Sequence, residues 1–304
     1  MPDPTESVII ATFTAAFGIF ALAANTYKSF KPKPLPAPVA DVWDDDSDPE
    51  NPSAFAEPPA IPVGKVATWF YRPIDLLGIG LIFVVFFSLV IATVRASSNP
   101  DMELNSGALL QSIAFEFIIA GIASAMVLPR IHLLEWLGLS WPQWRWVFFI
   151  APASVLAMWA FFGGLQVSGY MKWIESFGVE SIQDTVKILQ KSNDLTILGL
   201  MAFAAVIVAP LCEEVVFRGY LYAAMKKFSG PWVAGLCSAL IFAAAHGSLA
   251  ALLPLFVFGC LLVFIYEKTG SLWAPMAVHF CFNGATVVIQ MAARYYHIPL
   301  DVAP

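Results

Sequence analysis

The stretch LLGIGLIFVVFFSLVIATV, residues 76–94, holds no charged side chain in 19 positions. A helix crossing the hydrocarbon core of a bilayer needs about 20 consecutive apolar residues, so this stretch reads as a membrane span. Seven more apolar stretches flank it, at 8–27, 107–128, 146–168, 196–224, 232–246, 249–266 and 272–292. Across its 304 residues the chain is 59% hydrophobic and only 12% charged, with a mean hydropathy of +0.74. Soluble globular chains carry about 25% charged residues, so a water-soluble enzyme is the wrong class. The fold expected is all-α, a polytopic transmembrane helical bundle of about eight spans, placed in the cell membrane and surrounded by lipid.

The net charge of −6 is concentrated rather than spread. Residues 29–64 carry seven acids against two lysines, together with nine prolines in 36 positions. Proline fixes φ and removes a donor, and so acidic a composition buries too little surface to fold. Segment 29–68 is therefore expected to be a linker between an N-terminal helix at 1–28 and further helices over 69–195, followed by a last unit over 196–295. No basic tract points to nucleic acid. Cys212, Cys237, Cys260 and Cys281 all lie in apolar stretches without CxxC spacing, which suits small buried hydrophobes better than disulfides or thiolate metal sites.

The first apolar stretch lacks the positive n-region of a signal peptide, because Asp3 and Glu6 precede it and Lys28, Lys31 and Lys33 follow. It reads as an uncleaved helix. Loops after the first, third, fifth and seventh spans hold ten Lys and Arg against five on the other side. The positive-inside rule then places both termini outside.

Ionisable side chains at membrane depth are expensive and mark functional positions by default. The densest set starts at Glu213 and Glu214, with Arg218 four residues beyond Glu214. Spacing i,i+4 lets Glu214 and Arg218 pair on one helix face, while Glu213 points about 100° away and stays free for chemistry. A helix-end ion cluster supported by Lys226 and Lys227 is the structural alternative. Phe242 and His246 follow in the sixth stretch, and His279 and Asn283 share a face of the last one. At 1.5 Å per residue, Glu213 lies about 20 Å from Lys226, His246 about 24 Å from Gly230 and Asn283 about 20 Å from Gly270. All three reference points belong to one side of the membrane, so the groups can meet at one depth. A Glu and a His around one water make a general base, and a second His with an amide can serve a developing oxyanion. No HExxH or GxSxG motif and no pair of membrane aspartates offers another protease chemistry.

The three motifs, Glu-Glu-x-x-x-Arg at 213–218, Phe-x-x-x-His at 242–246 and His-x-x-x-Asn at 279–283, in this order on successive membrane segments, resemble the CAAX protease and bacteriocin-processing family. That family includes the Ras-converting type of CAAX prenyl endopeptidase and bacterial immunity proteins. The resemblance covers about residues 196–292. It implies that Glu213 and His246 activate water, that His279 and Asn283 bind the oxyanion, and that Glu214 with Arg218 organises the site. It also implies intramembrane cleavage of a peptide or protein with a membrane-anchored end, by a glutamate-dependent reaction; the lack of an HExxH-type ligand helix favours a site without cofactor. Three alternatives stay open: the same protease with a bound zinc, a non-catalytic immunity or scaffold protein, and a transporter with a Glu–His proton relay. The last usually brings internal repeats, and the sequence shows none.

Other polar residues take quieter readings. Glu116 is expected to pair with a neighbouring helix or to line the same cavity. His132 and Glu135, with Trp141, Trp144 and Trp146, suit anchoring at the interface, as does His297 beside Tyr295 and Tyr296.

Overall fold

A computed structural model describes residues 4–30, 65–97, 105–179 and 192–296. Most of the segment read as a linker, 31–64, lies outside the described residues, as does His297. The described chain is helical, with no strand. Eight long helices follow one another as α1 (Pro4–Phe30), α2 (Asp75–Ser97), α3 (Ser106–Val127), α5 (Val147–Val167), α7 (Leu195–Ser229), α8 (Pro231–Ala245), α9 (Leu249–Thr269) and α10 (Trp273–Tyr295). Two short helices, α4 (Leu133–Trp136) and α6 (Tyr170–Glu175), sit in the connections.

Seven of the eight are long and apolar enough to cross a membrane. The sixth stretch of the sequence reading becomes α8, which has only 15 residues and falls short of that length. It packs against α9 on one side and α1 on the other, and α3 leans on α7 while α5 leans on α10.

The helix ends follow from local chemistry. Asn105, Asp194 and Ser248 each accept a backbone N–H at the start of a long helix, which satisfies donors that the first turn leaves free. Gly230 ends α7 at φ 80° and Pro231 opens α8, the expected pairing of a glycine stop with a proline start.

Polar ties join the helices at each end of the bundle. At one end Arg130 grips Asp75 through two bonds of 2.6 and 2.8 Å. Beside it Lys226 reaches Glu267 at 2.5 Å and the Val66 carbonyl at 3.1 Å. The backbone N–H of Lys65 also donates to the Glu267 carbonyl. Residues 65–68, which the sequence assigned to the linker, are therefore docked on the bundle. At the opposite end Arg95 pairs with Glu6 at 2.6 Å, and Arg294 donates to the Ser192 carbonyl and to Asn193.

Gly78 lets α2 approach α7 and α3, because a β-carbon there would overlap the Tyr220 hydroxyl and the Met126 methyl. Overpacking a close contact costs roughly 1–3 kcal/mol. Gly78→Val should therefore lower the thermal unfolding temperature of the detergent-solubilised protein, whereas the same change at Gly80, where a β-carbon meets nothing within 4 Å, should not.

Candidate active site

Helix α7 carries the first group of polar residues and is not a plain α-helix. It widens into π turns over Ala204–Val208 and again over Glu214–Tyr222. Pro210 accounts for the first. It has no N–H to give, and the Ala209 N–H bonds back to Ala204, so the Ala205 carbonyl keeps no partner within the helix. The Asn283 amide fills that vacancy, Nδ2 donating to the Ala205 carbonyl at 2.8 Å. One of the two amide hydrogens of Asn283 is thus spent on holding α10 to α7, and one remains.

The second π stretch begins at Glu214, so Glu213 and Glu214 flank a change in helical winding. Such bulges recur at functional sites because they re-aim side chains without breaking the helix. Glu214 is sealed, with no exposed surface, and its Oε1 takes Arg218 Nη1 and His279 Nδ1, both at 2.9 Å. Arg218 is equally buried. Its guanidinium also reaches the Gly259 carbonyl at 3.4 Å and lies 4.3 Å from the centre of the Phe242 ring, an electrostatically favourable place for a cation.

Glu213 behaves differently. Its side chain is 20% exposed, and its two oxygens face two imidazoles, Oε1 to His246 Nε2 at 4.0 Å and Oε2 to His279 Nε2 at 3.9 Å. Separations of this size are beyond a direct hydrogen bond and suit a bridging water. The far nitrogen of each ring is already committed. His246 Nδ1 lies 2.8 Å from the Phe242 carbonyl and His279 Nδ1 lies 2.9 Å from Glu214. Both partners are acceptors, so a hydrogen sits on each Nδ1 and each Nε2 is turned toward Glu213.

All six residues singled out from the sequence, Glu213, Glu214, Arg218, His246, His279 and Asn283, are thus gathered on three helices or their ends. Phe242 gains two tasks that its place in a motif did not reveal. Its carbonyl fixes His246, and its ring packs edge-on against His246 with centroids 4.9 Å apart while facing Arg218. Glu116 on α3 interacts electrostatically with Glu213, and its Oε2 is buried without a hydrogen-bond partner. His132, Glu135, Trp144 and Trp146 lie exposed and away from this cluster, whereas Trp141 is buried.

The donors available for a metal would be Glu213, His246 and His279. Among the described residues no group of three or more His, Cys, Asp or Glu side chains is arranged to hold a metal ion.

Residues 196–285 match the family model described as type II CAAX prenyl endopeptidase Rce1-like. That segment is similar to the Rce1-like family. Over 92 residues, 30% of the chain, it is 33% identical to the putative membrane peptidase YdiL of Bacillus subtilis (strain 168), covering 38% of that protein. Over 150 residues, 46% of the chain, it is 28% identical to the membrane-embedded CAAX protease MroQ of Staphylococcus aureus (strain USA300), covering 60% of that protein. The chain thus spans less than two thirds of the length of either relative. No solved structure gives a significant match. The matched segment contains all three motifs, and with seven helices long enough to cross a bilayer the chain is an integral, multi-pass membrane protein.

Proposed function

We propose that this chain is a membrane CAAX-type endopeptidase that hydrolyses a peptide bond near the membrane-anchored end of a protein or peptide, with Glu213 as general base. The observation that carries the reading is the placement of Glu213 between two imidazole Nε2 atoms, 4.0 and 3.9 Å away, supplied by separate helices. A water held there has hydrogen-bond acceptors on both sides. Glu213 takes one of its protons as the water oxygen attacks the scissile carbonyl, and His246 orients the water through Nε2. The new C–O bond places negative charge on the carbonyl oxygen. The remaining amide hydrogen of Asn283 donates to that oxygen, as does His279 in its doubly protonated form, with Glu214 at its Nδ1. The proton held by Glu213 then passes to the leaving nitrogen, the C–N bond breaks, and a carboxylic acid and an amine depart. Positioned oxyanion donors of this kind are each worth about 10²–10³ in rate.

Glu214 and Arg218 take no part in bond making. They are sealed from solvent, and their work is to hold the His279 ring by its Nδ1 so that Nε2 faces the chamber. In this reading the reaction needs no metal, since a carboxylate and two imidazoles cover base, water orientation and oxyanion support.

The test is cleavage of a quenched, farnesylated CAAX peptide by the full chain in detergent micelles, with and without a zinc chelator. Cleavage that survives the chelator supports the glutamate reading. Loss that zinc restores moves the chemistry to a metal. No cleavage of the farnesylated peptide, with cleavage of the same peptide carrying another lipid anchor, would keep the reaction and change the substrate.

A further inference from the structure

The carbonyl of Gly219, in the middle of the second π stretch, is held from outside α7. Tyr71 Oη donates to it at 2.7 Å and Trp136 Nε1 at 3.1 Å, and Trp136 Nε1 also lies 3.0 Å from Tyr71 Oη. The intrahelical partner that an α-helix would supply is absent, because the Ala223 N–H bonds to the Tyr220 carbonyl instead. Two aromatic donors thus bind an oxygen that the Ala223 N–H does not take.

Neither donor belongs to the matched segment 196–285. Tyr71 lies in the irregular stretch before α2, and Trp136 is the last residue of α4. Both are buried. Burial pushes the Tyr71 phenol well above its ordinary value, so it remains a donor through the neutral range. Helix α4 is itself pinned in place. The Leu272 N–H donates to the Leu137 carbonyl at 2.9 Å. Gly138 adopts φ 58° against the Gly270 carbonyl, where any β-carbon would collide. The adjoining Tyr220 hydroxyl reaches Asp75 Oδ1 at 3.4 Å, the same carboxylate that Arg130 grips.

We propose that Tyr71 and Trp136 are positioning residues for the reaction centre, acting through the Gly219 carbonyl to hold the π turn that aims Glu213 and Glu214. Gly219 stands five residues past Glu214 and one past Arg218. A π turn holds one residue more than the α-helical ladder needs, and releasing it rotates the two sides of the helix by about 100° relative to each other. Glu214 would then no longer face His279 while Arg218 kept its place. The proposal rests on the endopeptidase reading for its kinetic consequence, but not for its structural one.

The experiment uses the full chain in lipid nanodiscs, as wild type, Tyr71→Phe, Trp136→Phe and the double variant. Backbone hydrogen exchange over 214–223 is measured beside exchange over 234–244 in α8 as a control. In the double variant, exchange over 214–223 should rise about tenfold or more with α8 unchanged, the mark of local opening. On the cleaved peptide, kcat should fall about tenfold or more with KM within about threefold, as expected when only transition-state alignment is lost. In a Glu214→Gln background the two substitutions should cost little further, because both routes pass through the same carboxylate.

Unchanged exchange over 214–223 in the double variant overturns the proposal, as does an equal rise throughout the bundle. Full losses that multiply in the Glu214→Gln background also overturn it. If Trp136→Phe fails to fold, Tyr71→Phe alone removes one hydroxyl and must still raise exchange over 214–223. If wild type cleaves no peptide, the endopeptidase reading fails while the exchange result still decides the role of the two aromatics.

Discussion

Glu213→Gln and Glu213→Ala should each lower kcat for peptide cleavage by about 10²–10⁴, the range that a positioned general base supplies, while leaving the protein folded. The asymmetry between the two neighbouring carboxylates is the reason. Glu213 is partly open, stands about 4 Å from two imidazoles and makes no close bond to either, so little of the fold depends on it. Glutamine keeps the shape and removes only the ability to take a proton. A melting temperature equal to that of wild type, measured on the same preparation as the lost activity, separates chemistry from collapse. Retention of most of the activity in Glu213→Gln would remove Glu213 from the role of base.

Arg218→Met should do the reverse and act first on stability. Removing one partner of a buried ion pair leaves the other charge uncompensated, at a cost of about 3–5 kcal/mol. Here the abandoned partner is Glu214, wholly buried and bonded through one oxygen to both Arg218 and His279. Its other oxygen is already without a hydrogen-bond partner, and His279 alone would remain beside it. The expected result is a large drop in the thermal midpoint or failure to accumulate in the membrane. The double variant Arg218→Met/Glu214→Gln should recover much of that stability without recovering activity. If the single and double variants unfold alike, the pair does not hold the helix as described.

Most of the architecture was open to reading from composition, since each apolar run between residues 8 and 292 became a helix near its expected bounds. The polar residues of the candidate site stood out for a related reason. Glu213, Glu214, Arg218, His246 and His279 are costly in an apolar setting, so their presence stands out against the background. What the sequence did not disclose is the winding of α7. Hydropathy reports which face of a helix is apolar and carries no record of which carbonyl each N–H chooses. Only Pro210, in the middle of a long apolar run, was a usable signal that one carbonyl would be left over. Tyr71 and Trp136 escaped notice because loop aromatics beside a membrane segment ordinarily read as interface anchors. Their partner is a backbone oxygen, which no side-chain motif encodes. The docked residues 65–68 were missed because they adjoin an acidic, proline-rich run whose composition dominates any window placed over them.

The 15-residue length of α8 bears on a problem that every hydrolase working at membrane depth must solve, the supply of water. At 1.5 Å per residue the helix is about 22 Å long, against about 30 Å of hydrocarbon. Such a mismatch is met by local thinning of the bilayer or by sinking one end of the helix below the lipid surface. His246 follows the last residue of α8, and its side chain is 29% exposed. With either response the polar turn at Gly247 and Ser248 is drawn inward, and the bulk phase comes nearer to Glu213. On the endopeptidase reading proposed above, a helix too short for its bilayer would act as a conduit, its shortfall in length being the place where water reaches Glu213.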